Sequence, residues 1–205
     1  DLTYRQLAER ARAQAAGLDR LGVGPGERVA IVSHNAGRLL SGFWGVSGWG
    51  RIYVPINFRL SAVEVAYIVE HCGASVLLYD PEVADTVAGV EVAHKVMLGA
   101  ESDAEWFLTD GEPQPWQPDE DATATINYTS GTTARPKGVE QTHRSLWLNA
   151  STFGWHAGVN DRDVYLHTLP MFHCNGWGMV YAALGMGVTQ VVLRKVDGAE
   201  ILRRV

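Results

Sequence analysis

One short stretch of the sequence concentrates hydroxyl groups, glycines and a lysine. Residues 128–139 read YTSGTTARPKGV and place four hydroxyl side chains in five positions, followed by Lys137. Glycine lets backbone amides approach an anion closely, hydroxyls donate further hydrogen bonds, and lysine adds a positive charge. This segment is therefore suited to hold a phosphate chain or a departing pyrophosphate.

Two competing interpretations of this loop have to be weighed. Ser, Thr, Gly and Pro are also typical of a polar loop that joins a strand to a helix and binds nothing, and composition alone leaves that interpretation open. A Walker loop requires GxxxxGK followed by Ser or Thr, whereas the order here is Lys137, Gly138, Val139. The sequence therefore does not indicate a P-loop NTPase.

A second group of chemically capable residues is PMFHCNGW at 170–177, between a predicted strand and a predicted Gly-rich helix. Ligands of open α/β folds bind at the carboxyl ends of the strands. There, His173 could contact a carboxylate or an adenylate phosphate, and Trp177 could form the wall of an acyl tunnel. From the residues alone, the ordinary interpretation is favoured: His173 bonded to a backbone carbonyl, and Trp177 in the core. Cys174 is interpreted as a small wall residue, because no base that would activate it is evident.

The elements that would position these groups alternate between helices and strands. A helix with apolar residues at helical spacing is predicted from about Leu7 to Leu21, and Asn35 is expected to cap a helix that runs through Gly48. Ser61 with Glu64 predicts a capping-box start for another helix. Further helices are predicted from about residue 142 and from 197, and the strands are predicted at 28–33, 51–57, 75–80, 122–130, 163–169 and 189–195. The pattern predicts an α/β fold with mainly parallel sheets covered by helices on both faces.

The sequence also suggests a division of the chain. Residues 101–121 are acidic and contain three prolines, which is typical of a linker or an irregular connection. We expect a first α/β sub-domain over 1–100, and the start of a second one, carrying the phosphate loop, over 122–205. The end of the chain resembles the opening of a helix beside an uncovered sheet edge, which favours self-association, for instance as a homodimer.

Composition excludes several classes of function. The formal net charge of -6, without any basic run, gives no support for nucleic-acid binding. Residues 164–193 lack charged side chains, but their histidines, proline and glycines argue against a transmembrane segment. The start of the sequence does not resemble a signal peptide. Cys72 and Cys174 are expected to be reduced and mostly buried, in a protein that is cytoplasmic or peripheral to a membrane.

The segment YTSGTTARPKGV resembles the signature loop of the adenylate-forming, or AMP-binding, superfamily, which includes acyl- and aryl-CoA synthetases, luciferases and peptide-synthetase adenylation domains. Other stretches are similar, in the expected order, to the fatty-acyl-CoA ligase branch for medium and long chains. These stretches are ERVAIV at 27–32, residues 54–80, LPMFHCNGW at 169–177 and VVLRKVDGAEIL at 191–202. The resemblance covers essentially the whole chain and corresponds to the first part of the large N-terminal domain.

This resemblance implies an enzyme that uses ATP, Mg²⁺ and coenzyme A to convert a fatty or other carboxylic acid into an acyl-AMP and then a thioester. It assigns the β- and γ-phosphates to a loop formed by Thr129, Ser130, Gly131, Thr132, Thr133 and Lys137. It also implies that Thr129 lies near the Mg²⁺, and that His173 is catalytic where the carboxylate meets ATP. Trp177 would border the fatty-acid entrance, with Cys174 in the same wall.

One position departs from the family pattern, because Ala134 stands where glycine is usual. If this position requires a positive φ, alanine adds roughly 1 kcal/mol of strain. We therefore expect Ala134→Gly to lower the apparent KM for ATP without changing the fold.

The family's remaining functional motifs are not found before Val205. These are the adenine-binding segment with its Mg²⁺-binding Glu, the ribose-binding Asp, and the lysine of the mobile domain. We expect this polypeptide on its own to be inactive in acyl-CoA synthesis and to bind ATP weakly. An aryl-CoA ligase and a truncated, non-catalytic nucleotide-binding module remain the alternatives.

Overall fold

A computed structural model describes residues 1–107, 110–129 and 135–205 of the chain. The helices in these ranges are α1 (Tyr4–Arg20), α2 (Gly37–Gly45), α3 (Ala62–His71), α4 (Ala84–Val87), α5 (Ala100–Trp106), α6 (His143–His156), α7 (Cys174–Trp177), α8 (Met179–Gly185) and α9 (Gly198–Arg204). The strands are β1 (Arg28–Val32), β2 (Ile52–Ile56), β3 (Ala74–Tyr79), β4 (His94–Met97), β5 (Thr123–Thr129), β6 (Lys137–Thr142), β7 (Val164–His167) and β8 (Thr189–Val192).

Most of these strands form one sheet. Its order is β4-β3-β1-β2-β5-β6, with β1 to β5 parallel and β6 antiparallel to β5. Strands β7 and β8 pair in parallel as a separate two-stranded sheet. The predicted fold class, α/β with mainly parallel sheets, is confirmed. Strands β5 and β6 follow the Pro-rich connection yet complete the larger sheet, and the proposed division of the chain at 101–121 stays a prediction.

The central strands are buried on both faces because apolar residues occupy successive positions and successive side chains project to opposite sides. Val29 and Ile31 of β1 pack into a core cluster that includes Leu18 of α1. Ala30 and Val32 of the same strand pack into a second cluster on the opposite face, with residues of α3. The larger sheet is therefore covered by helices on both sides.

Several helix starts follow the predicted local chemistry. The capping box of Ser61 and Glu64 is present at α3, and Thr142 and Asp197 accept backbone hydrogen bonds at the starts of α6 and α9. The predicted cap at Asn35 is wrong, because α2 begins after Ala36 without any side-chain cap. Asn35 instead bonds to a segment far away in the sequence. Within the described residues, no helix combines the length and apolar content needed to cross a membrane.

Two contacts join the carboxyl ends of strands in the larger sheet to the segments around β7 and β8. After β1, Asn35 Nδ2 donates to the carbonyl of Leu169 at 2.8 Å, and its Oδ1 accepts from the Met171 amide at 3.0 Å. After β3, Arg194 donates to both carboxylate oxygens of Asp80 at 2.9 Å and to Glu82 at 2.7 Å. We call these the amide seam and the ionic seam.

Candidate active site

The predicted phosphate loop closes a β-hairpin. Thr129 at the end of β5 is paired directly with Lys137 at the start of β6. The loop was expected to lead from a strand into a helix, and this expectation is wrong, because β6 comes between the loop and α6. Other residues assigned to the loop lie outside the described residues: Ser130, Gly131, Thr132, Thr133 and Ala134.

The pairing of β5 with β6 determines which side chains share a face of the hairpin. Directly opposed residues of an antiparallel pair project to the same side, and the side alternates along each strand. Thr129 and Lys137 therefore project from the same face as the opposed pair Thr125 and Gln141. The opposite face carries Tyr128, which packs against the second core cluster. Apart from Val139, which is opposed to Asn127, the face that carries Lys137 is polar along the hairpin to its loop, and we call it the polar face.

A partly buried hydrogen-bond network attaches this polar face to the PMFHCNGW segment. Gln141 Oε1 accepts hydrogen bonds from the Thr125 hydroxyl at 3.1 Å, from the amide of Asn127, and from Asn175 Nδ2 at 3.2 Å. Asn175 is buried, and its Nδ2 also lies 3.5 Å from Thr125 Oγ1. The PMFHCNGW segment is therefore in contact with the hairpin that carries the 128–139 stretch, through Asn175 of the segment and Gln141 of β6.

The segment that begins at Cys174 has an unusual backbone. Residues 174–178 have consecutive φ values of +47°, +47°, +58°, +63° and +76°. This left-handed conformation costs roughly 1–2 kcal/mol for each residue that has a Cβ. Cys174 and Trp177 carry that cost in full and Asn175 carries less of it, so the element labelled α7 is a strained left-handed turn. Such strain persists only where surrounding contacts hold it, and it is concentrated at functional sites.

The left-handed turn exposes the predicted site residues. His173 and Cys174 are both exposed, and His173 Nε2 lies 3.8 Å from Cys174 Sγ. Trp177 is 62% exposed, so the ordinary interpretation that it fills the core is wrong. The expectation of mostly buried thiols is also wrong for Cys174. Cys72 is partly buried, and burial raises the pKa of its thiol to about 11.

A cavity of about 630 Å³ lies between α2, α6 and α8. Its lining is mainly apolar, but it includes Trp44, His143 and Tyr181, whose Nε1, Nε2 and hydroxyl atoms are buried without a hydrogen-bond partner. Burial lowers the pKa of His143. Of the predicted site residues in the described ranges, none borders this cavity. Sequence reasoning did not predict this cavity.

The described part of the chain offers few side chains that could bind a metal ion. No group of three or more His, Cys, Asp or Glu side chains there is arranged to hold a metal ion. Mg²⁺ is usually bound by one or two carboxylates together with substrate phosphates. The hydroxyl of Thr129 alone does not make such a site, so these residues do not fit Mg²⁺ by themselves.

Three residues that shape the site were not recognised as such from the sequence. Asn35 was read as a helix cap, Gln141 belongs to a strand that was not predicted, and Asn175 was given no role. The one available signal was the position of Asn175 inside the PMFHCNGW segment. Their partners are distant in sequence, 134 positions away in the case of Asn35 and Leu169, so local patterns do not reveal them.

The sequence of this chain is similar to those of several CoA ligases. The acetate/butyrate–CoA ligase AAE7 of Arabidopsis thaliana is 32% identical over 98% of this chain, and the long-chain-fatty-acid–CoA ligase of Thermus thermophilus is 36% identical over 93%. A feruloyl-CoA synthase of Amycolatopsis sp is 34% identical over the whole chain. The chain spans only 41%, 37% and 41% of these three relatives, respectively.

The fold agrees with these sequence relationships. The crystal structure of ATP-bound MatB from Rhodopseudomonas palustris superposes with a TM-score of 0.84 at 28% identity, covering 98% of this chain and 41% of that one. The family profile described as AMP-binding enzyme matches residues 1–204. On this evidence, together with the signature loop at the end of the β5–β6 hairpin, the chain belongs to the AMP-binding enzyme family.

Proposed function

We propose that the protein containing this chain activates a carboxylic acid with ATP and transfers the acyl group to coenzyme A. A carboxylate oxygen of the acid attacks the α-phosphorus of ATP, and the bond to the bridging β-phosphate oxygen breaks, which releases pyrophosphate and forms acyl-AMP. The thiolate of coenzyme A then attacks the acyl carbon, and AMP leaves with the electron pair of the broken C–O bond.

The observation that carries this proposal is the contact between the phosphate-loop hairpin and the His173 segment. Thr129 and Lys137 stand at the base of the loop on the polar face, and Asn175 is bonded to Gln141 on that same face. The two reactants of the first step, a phosphate chain and a carboxylate, need adjacent binding groups of this kind. Family membership and the CoA ligases among the relatives support the same reaction.

The residues of the candidate site have distinct roles in this proposal. Lys137 and Thr129, with Ser130, Gly131, Thr132 and Thr133 of the loop, bind the β- and γ-phosphates. Negative charge grows on the leaving pyrophosphate, and preorganised N–H and O–H donors stabilise it. His173, exposed at the left-handed turn, donates a hydrogen bond where the acid carboxylate meets the α-phosphate. Because the described residues do not fit Mg²⁺, no step is assigned to the metal.

The proposed acid is a fatty acid, and Trp177 forms part of its entrance together with Cys174. The exposed indole, four positions after His173 in the sequence, offers an apolar surface that suits an alkyl chain. An aromatic acid is the second candidate, because a feruloyl-CoA synthase is among the relatives. The proposed location is the cytoplasm, where a fatty-acid ligase can also associate peripherally with membranes.

Pyrophosphate release and thiol consumption, measured on the complete protein, test this proposal. The protein would be supplied with ATP, coenzyme A and a panel of short, medium, long and aromatic acids. Lys137→Met should lower kcat/KM for ATP about 10- to 100-fold, since a hydrogen bond to a charged group contributes about 1.5–3 kcal/mol. His173→Ala should slow adenylate formation far more than it lowers thermal stability, and Trp177→Ala should change the preferred acid length.

Lys195→Met is the matched control, because it removes the same charge from an exposed position beyond β8. It should leave kcat/KM for ATP within about twofold of the unmodified protein. ATP binding without pyrophosphate release for any acid would contradict the enzyme proposal and support a non-catalytic nucleotide-binding module. Activity confined to aromatic acids would replace the fatty-acid assignment.

A further inference from the structure

We propose that Gln141 and Asn175 are positioning residues that hold the His173 segment in register with the phosphate-loop hairpin. This inference rests on the proposed function for its catalytic consequence, but its structural part can be tested independently. Neither side chain is expected to touch ATP or the acid.

The first argument is the geometry of the contact. Gln141 lies on β6, the strand that leaves the phosphate loop, and its Oε1 receives three side-chain donors, including Asn175 Nδ2 at 3.2 Å. Asn175 and Gly176 are buried, whereas Cys174 before them and Trp177 after them are exposed. The network therefore bonds a fixed strand to the middle of the turn that displays the site residues.

The second argument is strain. Asparagine tolerates the left-handed conformation better than most residues, but Cys174 and Trp177 do not share that property. A turn with several such residues would relax to an ordinary conformation unless tertiary contacts hold it. Upstream of His173, the amide seam fixes the backbone of Leu169 and Met171 through Asn35. The bond from Asn175 to Gln141 is the matching anchor downstream, so His173 lies between two anchored points.

The third argument concerns the face of the hairpin. Gln141 projects from the same side of β6 as Lys137, about 13 Å farther along the strand at about 3.3 Å per residue. Because one rigid hairpin carries both groups, the distance between the phosphate-binding lysine and the His173 segment is set by this anchor. Without it, phosphate binding would be retained while the carboxylate would be misaligned.

Two variants remove the anchor in different ways. Gln141→Leu removes the acceptor oxygen at nearly constant size. Asn175→Gly removes the donor side chain but keeps a residue that adopts a positive φ without strain. Gln141→Glu retains acceptor oxygens and serves as the conservative variant. Glu140→Leu is the matched control, because Glu140 is the adjacent residue on the opposite face of β6 and is exposed.

The structural readout is the rate at which Cys174 reacts with an aromatic disulfide reagent such as dithiobis(nitrobenzoate). Cys174 is exposed, whereas Cys72 is partly buried with a pKa raised by burial to about 11, so the fast phase should belong to Cys174. Cys174→Ser confirms that assignment by abolishing the fast phase. Release of the turn should change the rate at least threefold in Gln141→Leu and Asn175→Gly, and by less in Gln141→Glu and Glu140→Leu.

The catalytic readout is the division of effects between kcat and KM in pyrophosphate release by the complete protein. Misplacement by about 1 Å can cost about 100-fold in rate, so the two anchor variants should lower kcat about 10- to 100-fold. Their KM for ATP should stay within about twofold, and Gln141→Glu should recover most of the rate. A purely structural role would instead lower thermal stability without this division.

The outcomes separate the inference from the proposed function. Unchanged Cys174 rates in both anchor variants would overturn the inference, as would equal effects in Glu140→Leu or a lack of recovery in Gln141→Glu. If the unmodified protein releases no pyrophosphate with any acid, the proposed function fails and the catalytic consequence fails with it. The Cys174 rates would still decide whether Gln141 and Asn175 hold the turn.

Discussion

The amide seam and the ionic seam perform the same task with different chemistry. Each joins the carboxyl end of a strand in the larger sheet to the part of the chain around the two-stranded sheet, and the strands involved, β1 and β3, are neighbours. Asn35 is buried, neutral and bonded to backbone atoms. The Asp80 carboxylate is only 7% exposed, but its partner Arg194 is 39% exposed and holds it through a long side chain.

This difference indicates which seam positions the site. A bond to backbone atoms fixes the path of the chain, and Leu169 and Met171 lie just before His173. An arginine side chain can adjust while its backbone moves, and its charge is partly screened by solvent. We therefore expect the amide seam to be the stronger constraint, and the ionic seam to depend on solution conditions.

The largest expected effect is that of Asn35→Ala. The substitution removes two hydrogen bonds and leaves the Met171 amide and the Leu169 carbonyl without their partner, at about 1–3 kcal/mol for each buried group. We expect urea unfolding to show a loss of about 2–4 kcal/mol. Asn160→Ala, at an exposed asparagine, is the control and should cost clearly less. A loss below about 1 kcal/mol at Asn35 would remove the distinction between the seams.

A smaller effect is expected for Arg194→Met. Asp80 would lose the guanidinium but would keep the Ser33 hydroxyl and the backbone amide of Glu82 as donors. Because Arg194 is more than one-third exposed, solvent screens its charge, and we expect the substitution to lower the free energy of unfolding by only about 1–2 kcal/mol. Unfolding at about 0.05 M and about 1 M salt, which shortens the screening length from about 14 Å to about 3 Å, should show the cost of Arg194→Met decreasing.

The salt series also contains its own control. The cost of Asn35→Ala should be the same at both salt concentrations, because no charged group takes part in that seam. An Arg194→Met cost that is independent of salt would show that the contribution of Arg194 rests on its short hydrogen bonds to Asp80 and Glu82, and not on a charge attraction that salt screens.

The smallest expected effect is the dependence of the ionic seam on pH. Burial by itself would raise the pKa of Asp80, but hydrogen bonds from Arg194 and the Glu82 amide hold it below its usual value of 3.8. A carboxyl group with a depressed folded-state pKa contributes stability above its unfolded-state pKa and loses it as pH falls through the folded-state value. The part of the Arg194→Met cost that comes from Asp80 should therefore be constant from about pH 7 to about pH 5 and should decrease below about pH 4.

The titration of buried histidines gives the protein a second dependence of stability on pH. Burial lowers the pKa values of His34, His143 and His167 below 6.5, so the unfolded chain takes up protons first as pH falls below that value. Stability then declines between about pH 7 and pH 5 in all variants alike, except that loss of Arg194 also changes the surroundings of His34. His167→Gln should reduce this common decline. A pH-dependent cost of Asn35→Ala would contradict the assignment of that seam as neutral.

Local chemistry alone was sufficient for part of the fold. Strands β1, β2 and β3 were predicted to within one residue at each end, because each is an apolar run bounded by turn residues. The capping box at Ser61 and Glu64 was also predicted, because both partners lie within one turn of helix. Strand β6 was missed because its residues are mostly polar and exposed, so no apolar pattern marks it in the sequence. Its strand conformation is stabilised by backbone pairing with β5.

The candidate site shows the same division. The residues of the loop 128–139 indicated a possible phosphate site without excluding an ordinary polar loop, and the resemblance carried by this loop and by 170–177 indicated the AMP-binding enzyme family. The phosphate and carboxylate roles of these residues stay predictions. Only the tertiary structure decided that the loop closes a hairpin and that its polar face meets Asn175 in a left-handed turn. The physical reason lies in the partners: Asn35 satisfies backbone groups 134 and 136 positions away, and Asn175 reaches a residue 34 positions back. Local propensity predicts only that an asparagine caps a helix or lies in a turn. The distant polar groups to which Asn35 and Asn175 hydrogen-bond come within reach only after the sheets have packed together.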